Sequence, residues 1–258
     1  MSTAHYWTDK ENRAKLAKEH TDYMYNNYIS ETLDSAKNTR VYDSRIDKFK
    51  DNYKSEYNTQ GVIKDTTTGV LFRLNRDLSG KVALLNFASY KNPGGKFLEG
   101  SSAQEESLCM VSNLYNILSS FGEYYGYNNH NLNNGLYTDR ALYTPDVIFI
   151  NPMNNTLHLC DVITGAAPNR SLLRYGRFTE EENYIALKSR IEFLRNICIK
   201  EQVDTVILGA WGCGVFMQRA EVVSQLLFET FRNTKVNCIY AVPDDKNYNI
   251  FLSTYKKY

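Results

Sequence analysis

Short apolar runs alternate with amphipathic stretches along most of the chain. Residues 82–88, 146–150, 158–167, 204–210 and 237–242 read as short apolar strands. Between them, residues 104–121 place Leu108, Val111, Tyr115 and Leu118 at helical spacing. Residues 179–200 open with Thr179 and Glu182, a capping box, and carry Ile185, Ile191, Leu194 and Ile197. Residues 219–231 carry Val222, Val223, Leu226 and Leu227. Strands alternating with helices predict an α/β sheet covered on both faces. Ligands of such sheets sit at the carboxyl ends of the strands.

The N-terminal part is different. Thr8-Asp9-Lys10-Glu11 fits a capping box, and a helix is expected to about Lys37. Residues 40–66 are polar with little periodicity and read as irregular. Residues 1–66 are therefore expected to form a helical extension packed on a core of residues 67–258, with no Gly/Ser/Pro linker between them. Residues 123–140, rich in Gly and Asn, read as a long loop.

Composition narrows the function classes. With 258 residues the chain is long enough for a core without staples. A net charge of +1 argues against general nucleic-acid binding or membrane attachment. No apolar run approaches the ~18 residues of a membrane span, and the charged N-terminus does not read as a secretory signal. The 5 cysteines are odd in number and lack CxxC spacing. They read as reduced thiols of a cytoplasmic protein. The 4 histidines show no metal-ligand spacing.

Three loops follow predicted strands. The first is "NPGGKFLEGSSAQEE", residues 92–106, where Gly94 and Gly95 allow close approach to a ligand. The second is "TGAAPN", beginning at Thr164. The third is "GAWGCGVF", residues 209–216, where Gly209, Gly212 and Gly214 permit the left-handed turns of an anion-binding nest. A tight strand-to-helix turn favours glycine as well, so this loop has two readings. Glu105 and Glu106 also have two. Acidic residues suit a helix's first turn through its dipole, whereas a buried carboxyl beside a glycine loop can serve as a general acid. Neighbouring helical residues point about 100° apart, so the two glutamates cannot do the same job. Cys213 has no histidine near it in sequence and reads as structural. Trp211 reads as core, and Phe216, at the loop tip, as a ligand platform.

Taken together, these loops resemble the microbial-type poly(ADP-ribose) glycohydrolases, which are built on a macrodomain. The family signature, a glycine triplet followed by Gln-Glu-Glu, appears as "GGKFLEGSSAQEE". "LNFASYKNP", "SLCMVSNLY", "LYTDRALYTPDV", "VITGAAPN", "GAWGCGVF" and the N-terminal "ISETL" also look like the family. The resemblance implies a macrodomain-like mixed β-sheet sandwiched between helices, with ADP-ribose in a cleft at the strand ends. It implies cleavage of the ribose–ribose O-glycosidic bond of poly(ADP-ribose), with Glu106 as the catalytic acid and Glu105 holding the ribose hydroxyls. Asn86, Asn92, Gly94, Gly95, Lys96, Gln104 and Thr164 would surround the ribose. Gly212, Cys213, Gly214, Val215 and Phe216 would wrap the ribose and diphosphate. No metal or cofactor is implied. The partners would be ADP-ribose, its polymer and ADP-ribosylated macromolecules, and a monomer is expected.

One adjacent helical turn cannot easily straddle a bond as the paired carboxylates of most glycosidases do. A single glutamate acting first as acid and then as base is the economical scheme. Lys96 stands where the family has its third glycine, Met110 and Val111 where it has an arginine pair, and Met217-Gln218 where it has a small turn. Lys96 is expected to crowd the ribose or to bind a phosphate. Two rival readings remain at this level: a hydrolase for mono-ADP-ribosyl linkages, and a module that binds ADP-ribose without cleaving it.

Overall fold

The computed structural model describes residues 9–48, 59–74 and 80–258. Among these residues seven strands form one sheet: β1 (Arg40–Asp43), β2 (Gln60–Ile63), β3 (Val82–Phe87), β4 (Arg140–Ile150), β5 (Leu157–Gly165), β6 (Thr205–Gly209) and β7 (Asn237–Ala241). Their spatial order is β1-β4-β5-β3-β6-β7-β2. β4 runs antiparallel to β1 and β5, and the remaining pairs are parallel. The predicted mixed sheet between helices is the observed fold.

β3 lies at the centre and is buried on both faces, as strands of a covered parallel sheet must be. Its side chains alternate between two cores. Ala83 and Leu85 join the helices α6 (Glu180–Lys200), α7 (Ala220–Phe231) and α8 (Asp245–Tyr255) on one side. Val82 and Leu84 face α2 (Thr67–Leu74), α3 (Gln104–Cys109), α4 (Leu114–Leu118) and α5 (Gly122–His130) on the other. The Thr179–Glu182 capping box opens α6 as predicted.

Several elements differ from the sequence reading. The single helix expected over 104–121 is two short helices, because Ser112 leaves the helical path to bridge Phe149 at the sheet. Residues 123–140 contain α5, whose buried Tyr124 and Tyr125 are hidden among polar residues. Residues 40–66 supply both edge strands, which are short and half exposed, so no clean alternation marks them. β4 begins six residues before its predicted start (140 against 146) and bulges between Thr144 and Val147 around Pro145, which disguises it.

The N-terminal helix α1 (Lys10–Asn38) is capped by Asp9, whose carboxylate accepts from the N–H of Glu11; Thr8 lies outside the described residues. α1 bends at Tyr28 and buries only Ala17, Met24, Thr32 and Ser35. Such a polar helix needs hydrogen bonds to stay docked. Asn113 donates to Thr32 (3.0 Å), Asn116 to the carbonyl of Thr21 (3.0 Å) and His20 to that of Ser112 (3.0 Å). At its first turn, Arg13 Nε donates to the carbonyl of Gly100 (2.7 Å). Gly100 has φ +78, and a Cβ there would lie 2.0 Å from the carbonyl oxygen of Lys10.

Gly100→Ala should therefore lift the first turn of α1 off its loop. Left-handed strain alone costs about 1–3 kcal/mol. Urea titration should show a loss of at least that size, with faster proteolytic cutting near Arg13. An unchanged midpoint would mean the contact is slack.

Candidate active site

The site grows from the carboxyl end of β3. Gln104, first residue of α3, receives the N–H of Phe87 on its side-chain oxygen (2.8 Å) and donates to the carbonyl of Leu85 (2.9 Å) and to Thr67 (3.1 Å). This amide imitates a neighbouring strand and locks α3 against β3. Glu105 and Glu106 then sit in the first turn, 3% and 8% exposed.

The two carboxylates have different surroundings. Glu105 Oε2 accepts from the N–H of Ser89 (2.6 Å), and Oε1 accepts from Asn86 Nδ2 (3.2 Å). Asn86 also reaches Thr164 (3.4 Å). Glu106 Oε1 accepts from the N–H of Lys96 (3.0 Å), while its buried Oε2 has no partner among the described residues. Burial raises Glu105 from the ordinary value to about 8, against the lowering effect of the bonds from Ser89 and Asn86; the neighbouring Glu106 adds a smaller upward push.

The glycine loop crosses directly over this pair. Gly94 and Gly95 have φ of 64° and 63°. A Cβ on Gly95 would lie 2.6 Å from Glu106 Oε1 and 3.0 Å from Glu105 Oε2, so only glycine lets the backbone pass. Lys96, by contrast, has φ −116°, which any residue adopts. Its side chain is 62% exposed and its ammonium lies 3.4 Å from Glu99. The missing third glycine thus leaves the backbone path intact.

The carboxylates open into a cavity of about 630 Å³ lined also by Asn92, Gly95, Lys96, Phe87, Val215 and Phe216. It shares Phe87, Ala103 and Phe216 with a second cavity of about 290 Å³, which carries Gly212 and Gly214. That one shares Phe87 and Gln104 with a third, of about 310 Å³, between α2 and the start of α8. Together they make one cleft across the ends of β3, β6 and β7.

In the 209–216 loop only Gly212 is left-handed, with φ +75. Gly209 is needed for space, since a Cβ would meet the carbonyl oxygen of Ala241 at 2.4 Å. A Cβ added at Gly214 would meet nothing within 4 Å. The amides of Gly214, Val215 and Phe216 find no acceptor among the described residues. Phe216 packs on Tyr137, which stacks on Tyr90 at 4.1 Å. Trp211 is core, 1% exposed. Cys213 lies off the cleft, with its thiol over the carbonyl of Trp211 and raised by burial to about 12; it is no nucleophile at neutral pH. Thr164 is buried beneath Asn86 and touches none of the three cavities.

Sequence reasoning missed two groups. Lys10 and Arg13 of α1 line the first cavity, and Asp244 and Asn247 of the α8 region line the third. Only tertiary docking brings them there. Among the described residues no group of three acidic, His or Cys side chains could hold a metal, and no helix is long and apolar enough to cross a membrane.

The model of the family described as "Microbial-type PARG, catalytic domain" matches residues 4–152, more than half of the chain. The chain belongs to this family of poly(ADP-ribose) glycohydrolases. Solved structures agree. The Thermomonospora curvata poly(ADP-ribose) glycohydrolase superposes with a TM-score of 0.84 at 24% identity, over 95% of this chain and 99% of that one, which bears on the fold. The same enzyme bound to the inhibitor ADP-HPD gives 0.82 at 25%, over 94% and 99%. A point variant of the Deinococcus radiodurans enzyme in complex with ADP-ribose gives 0.78 at 27%, over 88% and 98%. No protein of curated function matches the chain.

The titration of Glu105 has a stability consequence. Between its ordinary 4.5 and about 8, the folded protein holds a proton that the unfolded chain has released. Stability without ligand therefore falls as pH rises through that window. Glu105→Gln should flatten the decline in Tm between pH 5 and 8. A wild-type Tm that climbs across that range would show Glu105 to be ionised in the fold.

Proposed function

We propose that the protein hydrolyses the ribose–ribose O-glycosidic bond of poly(ADP-ribose) with Glu106 as the proton carrier. The observation that carries this is Glu106, which lines the cavity and whose buried Oε2 has no partner among the described residues. A buried carboxylate oxygen left unpaired is costly, and a reacting group would pair it. The raised titration of Glu105 points the other way, towards Glu105 as the neutral acid at pH 7. We favour Glu106, because both oxygens of Glu105 are already engaged whereas one of Glu106 is not. A protonated carboxyl keeps acceptor capacity and adds an O–H donor, so Glu105 can still bond ribose hydroxyls.

The macrodomain-like cleft then seats one ADP-ribose unit. Its terminal ribose lies under Gly95, its diphosphate meets the open amides of Gly214, Val215 and Phe216, and the adenosine continues towards the third cavity. The C1″–O bond breaks as Glu106 passes its proton to the leaving 2′-oxygen. An oxocarbenium-like centre forms, which the bound diphosphate favours electrostatically. Glu106, now a carboxylate, takes a proton from the water whose oxygen closes the new bond to C1″. The products are ADP-ribose and a shortened chain.

Glu106→Gln should lower kcat by roughly 10²–10⁴-fold and leave the ADP-ribose Kd within about tenfold. Glu105→Gln should lower the rate less and weaken binding more. Chain hydrolysis followed by release of free ADP-ribose, with calorimetry for Kd, separates the two. Full activity in Glu106→Gln, or the reverse ranking, would overturn the assignment. ADP-ribose at a hundredfold excess over Kd should stabilise the wild type by about 2.7 kcal/mol. No thermal shift at millimolar ADP-ribose would sink the cleft itself.

A further inference from the structure

The first cavity is not used up by one ribose. Phe87, Ala103 and Phe216 are shared with the rest of the cleft, but Lys10, Arg13, Lys96 and Gly100 line this cavity alone. They come from α1 and the 96–100 loop, and Glu106 lines the same space. Three of these four residues are basic. Lys10 has no ion-pair partner among the described residues. Lys96 meets only Glu99, at 3.4 Å and largely exposed to solvent. Asp9, the anion nearest Lys10 in sequence, caps α1 and does not line the cavity. Arg13 holds the first turn of α1 on the carbonyl of Gly100 and so fixes where Lys10 stands.

Resting on the glycohydrolase reading above, the geometry points to a second anion subsite here, in which Lys10 and Lys96 receive the diphosphate of the departing ADP-ribose unit. Chemistry dictates the side. The bound unit contributes C1″, and its own diphosphate runs towards the glycine loop. The leaving oxygen is the 2′-oxygen of the next unit's adenosine, which must emerge past Glu106 with a diphosphate of its own. Two flexible ammonium groups at the mouth suit such a mobile anion better than a rigid fork would. α1 is then a wall of the substrate site that senses whether a leaving group carries phosphate.

The test compares two substrates with the same scissile bond: a dimer of ADP-ribose, and ADP-ribose linked 1″→2′ to plain adenosine. Lys10→Glu keeps helix α1, because an acid suits a first helical turn. It should lower the ratio of kcat/KM for the dimer over the adenosine conjugate by about fivefold, the upper range for an exposed ion pair. Lys10→Arg, which keeps the charge, should keep most of the ratio, and raised salt should shrink the wild-type ratio. A purely structural role would lower both rates together and leave the ratio fixed, which would overturn the subsite. Wild-type cleavage of the conjugate with a ratio indifferent to Lys10→Glu removes the subsite and leaves the glycohydrolase reading standing. Cleavage of neither substrate removes both.

Discussion

Everything at the head of α3 hangs on the carboxamide of Gln104. It satisfies the last N–H and a carbonyl at the end of β3 as a further strand would. A strand end buried in a sheet cannot leave those groups unpaired without a penalty of about 1–3 kcal/mol each. The constraint fixes the start of α3, and with it the direction of the two residues that follow. A glutamate would lack the donor needed for Leu85, and an apolar residue would lack both. The glutamine of the Gln-Glu-Glu signature is thus the fastening, and the glutamates are what it fastens.

The fastened pair then divides by environment. Glu105 is wrapped by Ser89 and Asn86 and pushed towards its neutral form by burial. Glu106, one step round the helix, leaves its buried Oε2 without a partner among the described residues. The neighbouring Glu106 adds a smaller push on Glu105 in the same direction.

Most of the fold is legible in the chain, because β3 and β6 are buried on both faces, β5 and β7 over most of their length, and all four read as plain apolar runs. Edge strands β1 and β2 are not, since their exposed faces dilute the pattern. β4 is legible only after its bulge, where Pro145 interrupts the run. At the site, the glycine loop and the glutamates stand out because their spacing is local. Gly95 makes room for the two carboxylates and Gly94 for Tyr115, a steric need other than the ligand approach read from the sequence, whereas Gly214 has no such need. Lys96 reads as an obstruction or a phosphate ligand, and is an exposed side chain on an ordinary backbone at the cavity. Lys10 carries no local signal at all. Its place in the cavity depends on a helix docking against a loop 87 or more positions away.

That docking also shapes how the protein can change over generations. Gly100 admits the carbonyl of Lys10 only because it has no side chain. A substitution at 100 calls for a displaced helix, and a displaced helix opens the wall of the cavity. The two segments must therefore be inherited as one unit. Recombination within the first hundred residues would sever partners that selection has to keep matched.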